Sequence, residues 1–319
     1  MQNMIDYVKM YKNTTFQEKK FTLVDGLILS VLSYVKYEEF YQMVLEEGKE
    51  EFSGISFAKL ESKIQRRDRT RMIPFYDMTY ELFRIVIRTK RYRQICLFCY
   101  EEIYHIAREI QFAAITFELP DNSVFVAYRG TDSTLVGWKE DFNMGYINPI
   151  PSQLIGVRYL ETIGKLTNRK IRVGGHSKGG NIAVYAAVHV KGEVQNQIMR
   201  VYSFDPPGFS TKIFNLPTYE KIAPRIHKIM PSSSIVGLLL EQNKEYLIIR
   251  STGIGLFQHD PFTWDIRKGK FICRKRFRKM AQLIAYLLNW WFFCMNEKGR
   301  EKMVNTIYSF LNRKQVYTL

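Results

Sequence analysis

Residues 170–188 read KIRVGGHSKGGNIAVYAAV. A β-rich run ends in Gly175-His176-Ser177-Lys178-Gly179, and a helix-forming run begins at once. This is G-x-S-x-G at a strand-to-helix turn, where a serine sits on a strained backbone and small residues two before and two after let neighbouring chain segments approach. Its hydroxyl is thereby exposed at the carboxyl end of a sheet. The helix start contributes partial positive charge, and the Lys178 N–H can face a developing oxyanion. With glycine and serine each near 7% of average usage, the pattern arises by chance about 0.1 times in a chain this long. The preceding strand, the extra Gly174 and Gly180, and the small Ala183, Ala186 and Ala187 strengthen it. A phosphate-binding loop is disfavoured, because G-x-x-x-x-G-K-[ST] is absent.

Around this turn, strands and helices alternate. QFAAITFEL and SVFVAYRG, separated by Pro120-Asp121-Asn122, predict a β-hairpin. Strands are expected at 170–174, 200–204, 226–230 and 246–250, with helices over 154–166 and 180–190. Upstream, Leu27, Ile28, Val31, Leu32 and Val35 recur at helical spacing, and further helices are expected over 75–88 and 95–105. From about Gln282 onward two more helices are expected. The pattern predicts a single α/β domain over residues 1–319, with a mostly parallel central sheet and helices on both faces. Residues 1–109 form a mainly helical N-terminal part, 110–265 the α/β core, and 266–319 C-terminal helices.

The chain of 319 residues is 46% hydrophobic, which excludes a disordered protein. Its formal net charge is +16, with a pI near 9.6. Four cysteines in so long a chain are too few for a disulfide framework, and a reducing compartment is expected. Cys96-x-x-Cys99 lacks a second pair at metal spacing and reads as buried structural thiols in a helix. The first twenty residues hold no secretory pattern, and the longest apolar run, Leu283 to Met295, is too short to span a bilayer. A cytoplasmic location is expected.

A second constellation is VFVAYRGTDSTLVGWKEDF, residues 124–142, where a strand runs into Arg129-Gly130-Thr131 and a polar loop. Thr131 is the candidate for the second oxyanion N–H, with its hydroxyl as a further donor. Asp132, Trp138 and Asp141 are read as fixing the loop rather than reacting. Tyr128-Arg129-Gly130-Thr131, Trp138, Asp141 and Gly175 to Gly180 resemble the oxyanion and nucleophile motifs of the class 3 (fungal-type) lipases. FTLVDGLILSVLSYVKY, residues 21–37, and Phe204-Asp205-Pro206-Pro207-Gly208-Phe209 resemble a bacterial family of lipase-like α/β-hydrolases, the Mbeg-like family. The resemblance runs from about residue 20 to the C-terminus. It implies an α/β-hydrolase fold and a serine nucleophile, and it supplies no substrate.

A serine nucleophile needs a base, and the chain has five histidines. His105 lies upstream in an expected helix, whereas this fold supplies its base late in the chain. His176 adjoins the serine on a tight turn and is expected to point elsewhere. His189 is 12 residues along the elbow helix, roughly 18 Å away, and His227 starts a strand at the wrong end of the sheet. His259 remains, in RSTGIGLFQHDPFTW after the last clear strand and 82 positions beyond Ser177, in the chain order Ser, acid, His. Class 3 lipases carry an aspartate in the loop after strand 226–230, but here that loop reads Pro231-Ser232-Ser233-Ser234-Ile235-Val236. Asp205, closing the strand after the elbow strand, is assigned the orienting role. Asp260 is the alternative, although it adjoins the histidine.

These residues predict a serine ester or thioester hydrolase acting on a lipidic acyl group, with no metal or cofactor required. The alternative is a catalytically silent hydrolase-fold protein that binds lipid, an anionic membrane surface or a protein partner, motivated by the serine at the usual acid position. Lys178 stands where lipases often have an apolar residue; its cation either favours an acidic or phosphoryl substrate or points outward. The basic block from Arg267 to Lys279 precedes the apolar, tryptophan-bearing run LIAYLLNWWFFCM. Two readings follow: contact with an anionic membrane at its periphery, or a helix packed on the sheet beside a solvated basic face. Specific nucleic-acid binding is not expected, for lack of any recognition motif. Both 143–151 and the N-terminal helices are candidates for a cover over the site.

Overall fold

The structure, a computed structural model, describes residues 2–38, 54–61, 75–209, 211–241 and 245–313. Among these, eight strands form one sheet in chain order. They are β1 (Ile55–Ser56), β2 (Cys96–His105), β3 (Ile110–Glu118), β4 (Ser123–Tyr128), β5 (Lys170–His176), β6 (Ile198–Phe204), β7 (Ile226–Pro231) and β8 (Leu247–Ile249). From β1 to β4 the ladders are antiparallel, and from β4 to β8 they are parallel. The parallel half is the part that holds the elbow, and all its carboxyl ends lie along one edge of the sheet.

Strand alternation divides the interior into two cores. On β4, Phe125 and Ala127 pack into one core and Val124, Val126 and Tyr128 into the other. The first core is roofed by helices Met4–Met10, Leu23–Leu32 and Tyr76–Val86, and the second by helices Pro151–Leu166 and Lys178–His189. The chain therefore has the α/β-hydrolase fold, with helices on both faces as expected. The N-terminal roof is pinned by Asp25, which caps its own helix and receives Arg91 Nε at 2.9 Å and Nη2 at 2.7 Å. Tyr92 Oη at 2.5 Å and Tyr7 Oη at 3.1 Å complete the clamp, so a fully buried carboxylate has a donor on every side.

The expected helix over 95–105 is a strand. Its ladder with β3 shifts register between Phe98 and Glu101, where Cys99 has φ +53°. This bulge adds unpaired residues, so Leu97 faces one core while Phe98 and Ile103 face the other. The resulting spacing mimics a helical period in the sequence. Cys96 and Cys99 are accordingly half-buried strand residues rather than buried helix thiols, and all four cysteines are free. No described helix is long and apolar enough to cross a membrane.

Candidate active site

The elbow follows from crowding at the end of β5. Ser177 has φ +59° and ψ −132°, a left-handed region that a serine occupies only under constraint. A Cβ on Gly175 would lie 2.3 Å from the Gly179 carbonyl carbon, and one on Gly179 would lie 2.1 Å from the Tyr128 carbonyl oxygen. Both positions exclude every residue but glycine. His176 pairs with Phe204 in the β5–β6 ladder, and the Ser177 N–H continues that ladder to the Phe204 carbonyl at 2.9 Å. Ser177 and Asp205, the next residues of the two strands, therefore stand at the same level on the sheet edge.

Asp205 is fully buried and has φ +47°. Its Oδ2 accepts from His259 Nδ1 at 2.7 Å, and its Oδ1 accepts from Ser234 Oγ at 2.5 Å. The Ser234 oxygen in turn accepts the Gly237 N–H at 2.8 Å. Ser234, in the loop after β7, thus holds the carboxylate that arrives from the adjacent strand. Asp260 is otherwise engaged, because its Oδ1 accepts the Phe262 N–H at 2.8 Å and caps the following turn. Burial raises the Asp260 carboxyl to about 6, against the Phe262 N–H and the charge of His259. Near enough to Asp205 to feel its charge, Lys228 is ion-paired to Glu241. Burial pushes its ammonium down to about 7, opposed by the Asp205 carboxylate.

His259 ends a short turn, Gly255–His259, in the loop after β8. The neighbouring Gln258 is fully buried and fastens this loop. Its Oε1 accepts the Ser233 N–H at 2.8 Å, its Nε2 donates to the Gly253 carbonyl at 2.8 Å, and its own carbonyl accepts Trp264 Nε1 at 2.9 Å. With Nδ1 of His259 donating to Asp205, Nε2 is the acceptor nitrogen of the neutral imidazole. The His259 side chain is 22% exposed and Ser177 is 9% exposed.

His176 does not turn away from the site. Its ring lies 4.5 Å, centroid to centroid, from that of His259, and its Nε2 donates to the His259 carbonyl at 2.9 Å. Its Nδ1 then accepts from Tyr34 Oη at 3.2 Å. Burial first, and the nearby His259 second, drive its pKa well below the usual histidine range. His176 is a neutral strut. Tyr34, just past the end of helix Leu23–Leu32, also crowds Gly130, where an added Cβ would lie 2.1 Å from the Tyr34 hydroxyl. The remaining histidines lie elsewhere: His105 at the end of β2, His189 stacked on Tyr185, and His227 stacked on Tyr202.

Thr131 follows β4, and its hydroxyl donates to Asp141 Oδ2 at 2.5 Å. That proton is not available to an oxyanion, which leaves the Thr131 backbone N–H. Among the described residues, the backbone N–H groups of Thr131 and Lys178 form no hydrogen bond to another backbone group outside regular helices and strands. Burial raises the Asp141 carboxyl to about 6, while Lys178 and the Thr131 hydroxyl act against it. Asp132 accepts from the Thr134 N–H at 3.0 Å and fixes the loop, as expected. Trp138, by contrast, is 39% exposed.

Lys178 neither faces the substrate side nor points outward. Its fully buried ammonium donates to Glu140 Oε2 at 2.9 Å and to the Gln111 carbonyl and Oε1, both at 2.8 Å. All three protons are used, and Glu140 also accepts the N–H groups of Gln111 and Ser152. The lysine ties the elbow to helix Leu135–Asn143. Glu140, Gln111, Ser234, Gln258 and Tyr34 were not singled out by sequence reasoning. The only local signal was the serine run Ser232-Ser233-Ser234, in a loop where the resemblance implied an aspartate. Among the described residues, no group of three or more His, Cys, Asp or Glu side chains is set to hold a metal ion.

No curated protein sequence gives a significant match. Among solved structures, the chain is similar to M37 lipase, at 15% identity over 68% of this chain and 70% of that one, with a TM-score of 0.42. It is also similar to the Rhizomucor miehei lipase in its propeptide complex, at 13% identity over 76% of each chain and a TM-score of 0.42. For Lip2 lipase from Yarrowia lipolytica the identity is 15%, over 61% of this chain and 76% of that one, with a TM-score of 0.33. A family model described as Mbeg1-like matches residues 86–309, which takes in the elbow, Asp205, Ser234 and His259. The chain belongs to the Mbeg1-like family.

Proposed function

We propose that this protein is a serine hydrolase that cleaves an acyl ester or thioester of lipidic character. The observation that carries the reading is the hydrogen bond from His259 Nδ1 to the buried Asp205 carboxylate, which leaves Nε2 as base on the sheet edge that bears Ser177. Ser177 Oγ attacks the acyl carbon and passes its proton to His259 Nε2, while Asp205 stabilises the imidazolium. The carbonyl oxygen becomes an oxyanion that takes the N–H groups of Thr131 and Lys178; losing one such donor costs about 2.7 to 4 kcal/mol in rate. Nε2 then protonates the leaving alcohol or thiol, and the acyl group stays on Ser177. Water next attacks the acyl-enzyme, gives a proton to Nε2, and the acid and free serine are released as that proton returns to Oγ.

The silent-fold alternative drew on the serine in the acid's usual place, and Ser234 now has a use as a donor to Asp205. Labelling with a fluorophosphonate probe tests the hydrolase reading. Wild type is expected to label, and Ser177→Ala and His259→Ala to lose labelling. A folded wild type that stays unlabelled would remove the activated serine from the account.

A further inference from the structure

Helix Lys279–Phe293 is apolar around its circumference, yet only Ala281 and Ala285 are buried. With the half-buried Asn289 and Phe292 they make one narrow stripe that seats the helix. The Asn289 side chain accepts the Leu240 N–H at 3.0 Å and donates to the Leu238 carbonyl at 2.9 Å. The Phe292 ring fills the space over Gly145, where a Cβ would lie 2.0 Å from it. The helix thus spans from the loop behind β7, which supplies Ser234, to the segment after helix Leu135–Asn143. Most of its apolar side chains are exposed rather than packed on the sheet. Trp290 and Trp291 are 58% and 50% exposed, and Leu283 and Leu287 are each 51% exposed. The loop that carries His259 adds Leu256 and Phe257, both largely in solvent. Helix and loop are tied to adjacent serines, through Arg278 N–H to the Ser232 carbonyl at 2.7 Å and Ser233 N–H to Gln258.

A helix apolar on all sides belongs in a core or against lipid, and a patch of this kind marks an interaction surface. The flanking charge selects the partner. Residues 266–296 contain eight basic residues and no acidic one. Two of them, Arg278 and Lys279, sit at the start of the helix, where its dipole disfavours cations, so helix stability does not account for them. A second copy meeting this face about a two-fold axis would bring sixteen like charges together. An anionic bilayer matches both the charge and the apolar, tryptophan-bearing face.

We infer that helix Lys279–Phe293 and the basic segment before it are a docking surface for an anionic lipid bilayer. Resting on the ester-hydrolase reading, the inference also names the substrate class: acyl lipids held in that bilayer. Co-sedimentation of the full chain, as Ser177→Ala, with phosphatidylcholine vesicles with and without phosphatidylglycerol tests the surface. Binding is expected only with phosphatidylglycerol, with a blue shift of tryptophan fluorescence. Arg274→Gln/Lys275→Gln/Arg276→Gln should weaken it about 100-fold, and Trp290→Ala/Trp291→Ala should abolish the blue shift and weaken binding at least tenfold. All five positions are exposed, so circular dichroism should be unchanged. No binding to phosphatidylglycerol vesicles at low salt would overturn the inference. So would binding indifferent to the tryptophans, or a dimer that the tryptophan substitutions dissociate. Hydrolysis of a soluble short-chain ester by wild type, without vesicles, reads the active site separately. Vesicle binding without any ester hydrolysis would sink the ester reading and leave the surface standing; soluble hydrolysis without vesicle binding would do the reverse.

Discussion

His176 and His259 lie ring against ring, with 33° between their planes, and the side chain of the first donates to the main chain of the second. The residue next to the elbow serine therefore holds the loop that carries the proposed base. Because His176 is buried and kept neutral, it braces His259 without competing for its proton.

His176→Phe keeps a ring of similar size and removes both hydrogen bonds. A buried hydrogen bond lost on one side costs about 1 to 3 kcal/mol, and the loop loses its fixed distance from Ser177. Fluorophosphonate labelling should slow about tenfold or more while the far-ultraviolet dichroism stays native. An unchanged labelling rate would show that the loop needs no strut.

Ser234→Ala takes one of the two side-chain donors that the described residues supply to the buried Asp205 carboxylate. The remaining bond to His259 then has to hold the carboxylate alone. Ester hydrolysis is expected to fall about tenfold in kcat with little change in KM, since Ser234 orients the acid and touches no substrate in this scheme. Ser234→Thr, which keeps the hydroxyl, should recover most of the rate; equal loss in both variants would argue for a packing effect instead.

Glu140→Gln leaves the buried Lys178 ammonium without its counter-charge. Breaking a buried pair from one side costs about 3 to 5 kcal/mol. Urea denaturation should therefore move to a clearly lower midpoint. The double variant Lys178→Met/Glu140→Gln removes both charges of the pair and should be more stable than Glu140→Gln; if it is less stable, the pair is not what holds this region together.

Asp141 gives a pH dependence with a definite sign. Its carboxyl is raised in the folded state from 3.8 to about 6, chiefly by burial. The folded protein keeps a proton that the unfolded chain would release, so this contribution is complete below about pH 4 and is lost as pH rises through about 6. It amounts to about 2 to 3 kcal/mol. Between pH 4 and pH 7 wild type should lose that much more stability than Asp141→Asn, in which Asp260 titrates as before. Parallel stability curves for the two proteins would contradict it.

Much of this protein could be read along the chain, and the reason is locality. The elbow is encoded within five residues, because the glycines and the serine answer to steric demands of their own turn. The hairpin β3–β4 and the helix Leu23–Leu32 likewise carry their period and their turn or cap in contiguous sequence. Chain order then pointed to Asp205 and His259, which the fold brings into hydrogen-bond contact. Strand β2 escaped because its bulge at Cys99 exists only against β3, and the unpaired residues disguise a strand's alternation as a helical one.

What depended on the folded chain was the set of partners. Lys178 finds Glu140 across 38 residues, Ser234 finds Asp205 across 29, and the His176 ring meets the His259 carbonyl across 83. None of these pairs leaves a periodic mark, since each is decided by which strand ends share an edge and which polar groups burial obliges to pair. The C-terminal helix teaches the same lesson in reverse. Its sequence is apolar enough for a core, and only the packed protein determines that most of it stays at the surface.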